Sequence, residues 1–249
     1  MPQTKTRLDA LLVDRGLSSS LHEAQAMIMS GKVFVNEEKI TKSGTQIKDD
    51  AVLSLHEPEH SFVSRGGVKL KGALEKFNIT VVGMTALDIG ASTGGFTDCL
   101  LQAGAKKIYA LDVGYGQIAW KLRTSAMVVV MDKTNIRHLD AKTIPDEIDI
   151  VVIDVSFISL KMVLPKAVEI IKTNGEIVAL IKPQFEANKG DVGRGGIVAN
   201  DIVCETTIAN ISEFAKQKLA LLVVGVCKSP IKGHDGNQEF FIHLRKVAV

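Results

Sequence analysis

Hydrophobic and polar positions in the first part of the chain follow the periods of two short helices and then of short strands. Thr6 can cap a first helix, and Ser20 with Glu23 forms the capping box of a second helix, which ends at Gly31. Strand-like alternation follows at residues 32–36, 39–40, 46–47 and 52–55. Residues 1–59 are therefore predicted to form a small α+β domain.

The pattern changes after this N-terminal domain. Residues 60–68 contain paired glycines and no clear period, so they are predicted to be a linker. In residues 69–249, apolar runs alternate with helical stretches, which predicts a Rossmann-like α/β sheet covered on both faces. The seven predicted strands span residues 86–90, 108–113, 128–132, 148–155, 176–182, 219–226 and 239–244. Residues 228–238 are too short for a helical crossover, so the last strand is predicted to be antiparallel.

Composition limits the possible functions. The 249 residues include 30 basic and 28 acidic side chains, so any nucleic-acid binding must depend on local patches rather than on net charge. The three cysteines fit neither a disulfide framework nor a zinc site, and no metal is expected. The first twenty residues lack the apolar core of a secretion signal, and the longest nearly apolar stretch, residues 219–227, is far shorter than the roughly 20 residues of a membrane helix. We expect a cytoplasmic protein without a membrane segment.

The segment LDIGASTGGF contains the end of the first predicted strand of the sheet and the glycine-rich turn that follows it. Such a turn lets the backbone approach a ligand, and Asp112 and Asp132, which end the next two strands, can accept hydrogen bonds from a ribose and an adenine amine. The spacing after Gly90 is not that of a dinucleotide site, and the carboxylate of Asp88 suits the cationic amino-acid end of S-adenosylmethionine better than a pyrophosphate. The predicted cofactor-binding residues are Asp88, Gly90, Ala91, Ser92, Thr93, Gly94, Gly95, Asp112 and Asp132.

Two charged residues end the fourth and fifth predicted strands. These are Asp154 in VVIDVSF and Lys182 in ALIKPQFE. A lysine at the end of a hydrophobic strand needs a carboxylate or a substrate for its amine, and Asp154 is the natural partner. A partly desolvated amine can take or steer a proton, with a hydroxyl as a possible target. The alternative is a structural ion pair that closes the sheet.

Several motifs support a more specific interpretation. They are RLD at 7–9, GKVFVN at 31–36, SRG at 64–66, GASTGGF at 90–96, DVGYGQ at 112–117, SFISL at 156–160 and KPQFE at 182–186. With these motifs nearly the whole chain resembles the TlyA family, bacterial ribosomal RNA 2'-O-methyltransferases that are often named hemolysins. The resemblance implies an RNA-binding domain of the S-four ribosomal-protein type before an FtsJ-like methyltransferase domain. It also implies S-adenosylmethionine as cofactor and a cytidine ribose of ribosomal RNA, in an assembled ribosomal subunit, as substrate.

The family's catalytic Lys-Asp-Lys-Glu set falls on Lys69, Asp154, Lys182 and Glu239. By this resemblance, Lys182 would deprotonate or polarise the ribose 2'-hydroxyl. Asp154 and Lys69 would tune and orient Lys182, and Glu239 would complete the network. A sugar hydroxyl is a weak nucleophile at neutral pH, which is why a positioned amine is needed. Composition and periodicity alone select neither Lys69 nor Glu239.

Candidate RNA contacts are Arg7, Lys32, Arg65 and Phe157, of which Phe157 could stack on a flipped base. The alternatives are solvated surface positions for Arg7 and Lys32, and core packing for Phe157. Residues 1–60 contain seven basic and nine acidic side chains, so residues 61–83, with four basic and one acidic, are expected to carry much of the positive field. The glycine-rich loop of residues 187–200 is either a mobile segment that closes over RNA or a disordered connection.

Three other functions stay open. The segment from Asp154 to Phe157 is reminiscent of the Asp-Pro-Pro-Tyr motif of base amino methyltransferases, but it lacks both prolines. The hemolysin name of the family implies a cytolytic protein, although no segment of the chain is predicted to insert into a bilayer. The third is an RNA-binding protein whose methyltransferase domain is inactive, against which the complete Lys-Asp-Lys-Glu set argues.

Overall fold

In a computed structural model of the chain, the described residues are 5–29, 31–55, 61–233 and 235–248. Contacts divide the chain into two compact units, Met1–Ser61 and Phe62–Val249, which we call the head and the body. Each unit has its own apolar core.

The described part of the head contains two helices and five short strands. Its elements are β1 (Lys5–Arg7), α1 (Leu8–Asp14), α2 (Leu21–Met29), β2 (Val33–Val35), β3 (Glu38–Lys39), β4 (Gln46–Lys48) and β5 (Leu53–Leu55). Strand β1 pairs antiparallel with β4, and β2 pairs antiparallel with both β3 and β5. Leu8 and Leu12 of α1 and Ile28 of α2 pack with Val33 in the core.

The two predicted helix starts in the head have different outcomes. Thr6 is not a helix cap, because it lies in β1 opposite Ile47 and α1 begins at Leu8. Pairing with β4 overrides the weak local preference for a cap at Thr6. The Ser20 cap of α2 is present, since the backbone N–H of Glu23 donates to Ser20 Oγ at 3.2 Å, but the Glu23 carboxylate accepts from the N–H of Ser19, at 2.8 Å, and not from that of Ser20.

The body is built on a seven-stranded sheet. Its strands are β6 (Thr85–Ile89), β7 (Lys107–Leu111), β8 (Val128–Met131), β9 (Ile148–Ile153), β10 (Ile171–Ile181), β11 (Leu221–Lys228) and β12 (Phe240–Lys246). Its helices are α3 (Gly66–Phe77), α4 (Gly95–Gln102), α5 (Trp120–Arg123), α6 (Leu164–Ile170), α7 (Pro183–Glu186) and α8 (Asp201–Leu219). The strand order is β11-β12-β10-β9-β6-β7-β8, parallel from β10 to β8, with β12 antiparallel to both its neighbours. The predicted α/β sheet with an antiparallel last strand is confirmed.

The central strands are buried on both faces. Leu87 of β6 belongs to the apolar cluster that includes residues of α6 and α8, whereas the neighbouring Ala86 belongs to the cluster that includes residues of α3 and α4. Successive strand residues point to opposite faces, so helices cover each side. This burial explains why the strands are continuous apolar runs in the sequence. No helix in the described part of the chain has both the length and the apolar character needed to cross a membrane.

A ligand-binding site is expected at the carboxyl ends of the neighbouring central strands β6 and β9. After β6 the chain adds β7 and β8 on one side and then returns to place β9 on the other side, so the connections diverge at this point. Open α/β sheets bind ligands in the crevice that such a divergence leaves at the carboxyl ends of the strands. Gly90 follows β6, Asp154 follows β9, and the Asp154 N–H donates to the Ile89 carbonyl at 3.0 Å.

Residues 62–68 belong to the body, which corrects the predicted linker of residues 60–68. Helix α3 already begins at Gly66, and a Cβ on Gly67 would lie 2.3 Å from Cγ of Phe62. The Val63 N–H donates to the buried carboxylate of Asp98 at 2.8 Å. The paired glycines thus allow close packing rather than flexibility, a difference that the sequence pattern cannot show. Residue 60 lies outside the described residues.

We expect Gly67→Ala to destabilise the body by about 1–3 kcal/mol, because the added methyl group must displace the Phe62 ring. Denaturant unfolding followed by the fluorescence of Trp120, the single tryptophan, measures this in the body. Gly66→Ala is the matched control in the same helical turn, since its Cβ would meet Ser64 Oγ at 3.4 Å and helix propensity favours alanine by up to about 1 kcal/mol. Equal effects of the two substitutions would contradict the close-packing role of Gly67.

Candidate active site

Lys182 after β10 and Asp154 after β9 form an ion pair. Lys182 Nζ lies 2.6 Å from Asp154 Oδ1 and donates to Ser156 Oγ at 2.9 Å. Because β9 and β10 are adjacent and parallel, the residues that follow them meet at one edge of the sheet. Only 11% of the Lys182 side chain and 22% of the Asp154 side chain are exposed, so the pair is partly desolvated.

A second ion pair joins Lys69 of α3 to Glu239, the residue before β12. Lys69 Nζ lies 2.6 Å from Glu239 Oε2, and both side chains are nearly buried. Gly233 makes room for the carboxylate, because a Cβ at this position would lie 2.7 Å from Glu239 Oε1. In such a pair, removal of one partner leaves a desolvated charge, so each side chain depends on the other.

Two neighbouring cavities meet at Asp154. The first, of about 500 Å³, is lined by one member of each ion pair, Lys69 and Asp154, and by the basic residues Arg65 and Lys232. The second, of about 490 Å³, is lined by Asp112, Gln117, Asn135, Phe157 and apolar side chains. Gly90, Ser92 and Asp154 line both cavities. Two molecules or two parts of one ligand could therefore meet beside Asp154.

The glycine turn of residues 90–95 packs closely against protein as well as lining the cavities. A Cβ on Gly90, which has φ 88°, would lie 2.3 Å from the carbonyl oxygen of Asp154. A Cβ on Gly94, which has φ 94°, would meet a side chain of α5 at 2.3 Å, and one on Gly95 would meet Ser64 Oγ at 2.3 Å. Glycine is thus required here by approach to the strand end and to neighbouring helices. The other turn residues in the wall of the first cavity are Ala91, Ser92 and Thr93.

Asp112 and Asp132 have different environments, although each follows a parallel strand. Asp112 lines the second cavity and accepts from the N–H groups of Ser92 and Gly114 at 2.8 and 2.7 Å. Asp132 forms an ion pair of 2.7 Å with Arg123 and lies outside the walls of both cavities. Among the residues that the structure describes, no group of three or more His, Cys, Asp or Glu side chains is placed to hold a metal ion.

Asp88 is a buried carboxyl group beneath the glycine turn. Its Oδ2 accepts from the Thr97 hydroxyl at 2.6 Å, whereas its Oδ1 has no hydrogen-bond partner among the described residues. The pKa of Asp88 is raised to about 7, mainly because the group is buried; the nearby carboxylates of Asp154 and Asp112 also raise it, whereas the Thr97 hydrogen bond lowers it. An unpaired buried carboxylate oxygen favours a cationic partner, which agrees with the charge of the amino-acid end of S-adenosylmethionine.

Comparison with known proteins now identifies the family. The family model of the FtsJ-like methyltransferases matches residues 62–246, and the family model of the S4 domain matches residues 6–53. The 16S/23S rRNA (cytidine-2'-O)-methyltransferase TlyA of Mycobacterium tuberculosis is 45% identical over 97% of this chain and 90% of its own length. This chain belongs to the TlyA family.

Two further relatives agree with the membership in the TlyA family. Hemolysin A of Brachyspira hyodysenteriae is 43% identical over 96% of this chain and 99% of its own length. A solved structure named "Putative hemolysin from Streptococcus thermophilus" has 41% identity and a TM-score of 0.76, covering 98% of this chain and 90% of that chain. The resemblance found in the motifs therefore holds over both units.

The structure adds residues to the TlyA-family site that the sequence did not single out. Ser156 accepts a hydrogen bond from Lys182, the ion-pair partner of Asp154. Gln117 and Asn135 line the second cavity. Gln117 ends the DVGYGQ motif, so that motif could have indicated it. Asn135 follows the same strand as Asp132, and the rule that strand ends carry site residues does not tell which polar residue faces the cavity.

The four candidate RNA contacts lie in different surroundings. Phe157 lines the second cavity and is 89% exposed, so it is not a core residue. Arg65 lines the first cavity and donates to the Lys232 carbonyl at 3.2 Å. In the head, Arg7 donates to both carboxylate oxygens of Asp9, at 3.0 and 2.6 Å, and Lys32 lies between β2 and the end of α2.

The glycine-rich loop is fastened to the turn before Glu239. Asn237 is buried and accepts from the Val198 N–H at 2.8 Å, while its amide donates to the Gly196 carbonyl at 2.8 Å. The Gly233 N–H donates to the Asn237 carbonyl at 2.9 Å. The end of the loop, at Gly196 and Val198, is therefore hydrogen-bonded to the turn before Glu239.

We expect the difference in unfolding free energy between Asp88→Asn and the wild type to depend on pH. The folded state keeps a proton on Asp88 up to about pH 7, whereas the unfolded chain releases it near the ordinary value of 3.8. The contribution of Asp88 to stability therefore falls as the pH rises from about 4 to 7. Relative to the wild type, Asp88→Asn should gain stability across this window, by at most about 4 kcal/mol for a shift of about three pKa units.

Denaturant unfolding between pH 4 and 8 measures this difference. Thr97→Val removes the hydrogen bond that lowers the pKa of Asp88, so it should move the upper end of the window to higher pH. A difference between Asp88→Asn and the wild type that stays flat over the whole range would contradict a desolvated carboxyl group at this position.

Proposed function

We propose that this chain transfers a methyl group from S-adenosylmethionine to the 2'-hydroxyl of a cytidine in ribosomal RNA, within an assembled ribosomal subunit. The observation that carries the proposal is the contact of Lys182 with Asp154, because Asp154 and Lys69 line the same cavity. The relatives named as rRNA (cytidine-2'-O)-methyltransferases support the reaction class, the nucleoside and the RNA. A substrate of this kind would be met in the cytoplasm.

Lys182 is suited to handle the proton of the 2'-hydroxyl. An ammonium group has three N–H donors; Lys182 donates to Ser156 Oγ at 2.9 Å and forms an ion pair with Asp154 Oδ1 at 2.6 Å. The amine therefore has N–H donors left for the ribose oxygen. As a neutral amine, Lys182 would accept the hydroxyl proton, and as an ammonium it would stabilise the developing alkoxide. A positioned acid or base of this type contributes about 100-fold to 10,000-fold in rate.

The other three charged residues of the set would orient the Lys182 amine and balance the charges around it. Asp154 fixes the direction of the amine and compensates its charge when it carries a proton. Lys69 lines the same cavity as Asp154, and its positive charge there favours a negatively charged ribose oxygen. Glu239 compensates the charge of Lys69 and holds its amine in place.

The residues around the second cavity and the glycine turn fit S-adenosylmethionine. Asp112 would accept from the ribose hydroxyls, and Gln117 and Asn135 would offer amides to the adenine. Asp88 is buried and lines neither cavity, so its Oδ1 would attract the amino-acid end through water. An adenine contact by Asp132 stays a prediction and would have to be shared with Arg123. When bound, the cofactor supplies an electrophilic methyl group on a sulfonium sulfur.

The exposed groups around the cavities fit an RNA substrate. Arg65 and Lys232 carry positive charge at the first cavity, and Phe157 presents an aromatic ring at the second. Phosphate contacts supply affinity, and a ring can stack on a base that has left its helix. Arg7 and Lys32, in the matched S4 domain, would add contacts to RNA outside the target nucleotide.

We expect Lys182→Ala to reduce methyl transfer to ribosomal subunits by about 100-fold to 10,000-fold, because the 2'-hydroxyl loses its proton acceptor. Transfer of tritium from labelled S-adenosylmethionine measures the rate, with purified small subunits, large subunits and free ribosomal RNA as separate substrates. Lys166→Ala is the control, since Lys166 pairs with Glu169 on α6 and lines neither cavity.

Digestion of the product to nucleosides decides between the reaction classes. The proposal requires 2'-O-methylcytidine, and a methyl group on a base nitrogen would favour the amino methyltransferase alternative. Undiminished transfer by Lys182→Ala would remove the role given to Lys182. Equal transfer to free RNA and to subunits would remove the assembled subunit from the proposal.

A further inference from the structure

Phe157 has an unusual backbone and an unusual exposure. Its φ is 63°, in the left-handed region that a bulky side chain rarely adopts, and 89% of the residue is exposed. Neither feature is favourable by itself, because the backbone is strained and a large apolar ring faces solvent. Surrounding contacts must therefore hold the residue in this conformation.

The segment that carries Phe157 is fastened on both sides to the segment that follows β10. Before Phe157, Lys182 contacts Asp154 and donates to Ser156. After Phe157, the carboxylate of Glu186 accepts from the Ser159 hydroxyl at 2.5 Å and from the Leu160 N–H at 2.6 Å. Phe157 is thus the apex of a short loop whose two ends are tied to one neighbouring segment.

Glu186 uses both of its carboxylate oxygens for this purpose. One oxygen holds a side chain and the other holds a backbone N–H, so the loop is fixed in position and in direction. Phe185, the preceding residue, contributes a ring whose centroid lies 4.9 Å from that of Phe157. Glu186 itself lines neither cavity, so its effect on a substrate must pass through the loop.

We infer that Glu186 is a positioning residue, which holds Phe157 in its strained and exposed conformation so that the ring can stack on the base of the target nucleotide. The inference rests on the proposed function, because it gives the ring an RNA base as its partner. The strain at Phe157 and the two hydrogen bonds of Glu186 are of the same order in free energy. Loss of Glu186 should therefore let Phe157 relax to a right-handed conformation and move the ring.

The first experiment measures kcat/KM for methyl transfer in a double-mutant cycle. Phe157→Ala should lower kcat/KM by about 10-fold to 100-fold, as expected for the loss of base stacking. Glu186→Ala should have a similar effect, and the double variant should be no worse than Phe157→Ala alone, because Glu186 acts through the ring. Glu186→Gln should stay within about 3-fold of the wild type, since its amide can accept from Leu160 and donate to Ser159 Oγ.

Glu169→Ala is the matched control, because Glu169 is an exposed glutamate of α6 whose partner is Lys166. It should leave kcat/KM unchanged. A double variant whose loss is the product of the two single losses would overturn the inference, because Glu186 would then act independently of Phe157. Equal losses in Glu186→Gln and Glu186→Ala would overturn it as well.

The second experiment needs no activity and compares glycine with alanine at position 157. A left-handed conformation favours glycine, whereas a relaxed conformation favours alanine. Phe157→Gly should therefore melt at a higher temperature than Phe157→Ala when Glu186 is present, and at a lower temperature in the Glu186→Ala background. The same order of melting temperatures in both backgrounds would overturn the inference.

The two experiments separate this inference from the proposed function. If the wild type transferred no methyl group to ribosomal RNA, the proposed function would fail, and the melting comparison would still decide whether Glu186 holds the loop. If Phe157→Ala kept full activity while Lys182→Ala lost it, the role of the ring would fail and the methyl-transfer proposal would stand.

Discussion

The backbone of Gly90 lies against the carbonyl group of Asp154, and the rest of the site depends on this approach. A Cβ at position 90 would lie 2.3 Å from that carbonyl oxygen, so a larger residue would push the turn after β6 away from the end of β9. The Asp154 N–H donates to the Ile89 carbonyl at 3.0 Å, which holds the two strand ends together. Gly90, Ser92 and Asp154 consequently form a wall shared by both cavities, so a cofactor and a proton-handling group can meet there.

The charged residues of the site are arranged in compensated pairs. Lys182 is paired with Asp154, and Lys69 is paired with Glu239. Partly buried pairs of this kind add little to stability, because desolvation of the charges offsets their attraction. Their presence beside a cavity therefore supports the proposed reaction. Asn237 and Glu186 complete the arrangement, since each uses one side chain to fasten a loop next to these pairs.

The rule that ligands bind at the carboxyl ends of parallel strands predicted Asp154 and Lys182 in this site, but it could not tell which polar residue after β8 faces the cavity. Asp154 and Lys182 end adjacent parallel strands, so their contact follows from the order of apolar runs in the sequence. Lys69 and Glu239 are 170 residues apart, and only the family resemblance placed them in one site. Asp132 ends a parallel strand as Asp112 does, but Arg123 pairs with it, and Asn135 lines the cavity instead. Which polar group faces the cavity depends on side-chain contacts that strand order does not contain.

The sequence by itself determined the two units, the α/β sheet with its antiparallel last strand, the glycine turn and the lysine–carboxylate pair at the strand ends. These features are local in the chain, or follow from rules for connecting strands, so periodicity and apolar runs are sufficient. Tertiary structure alone decided that residues 62–68 pack into the body, that one oxygen of Asp88 is buried without a partner among the described residues, and that Phe157 has a left-handed conformation. Burial and strain depend on residues that are distant in the chain and close in space, and for that reason no local pattern contains them.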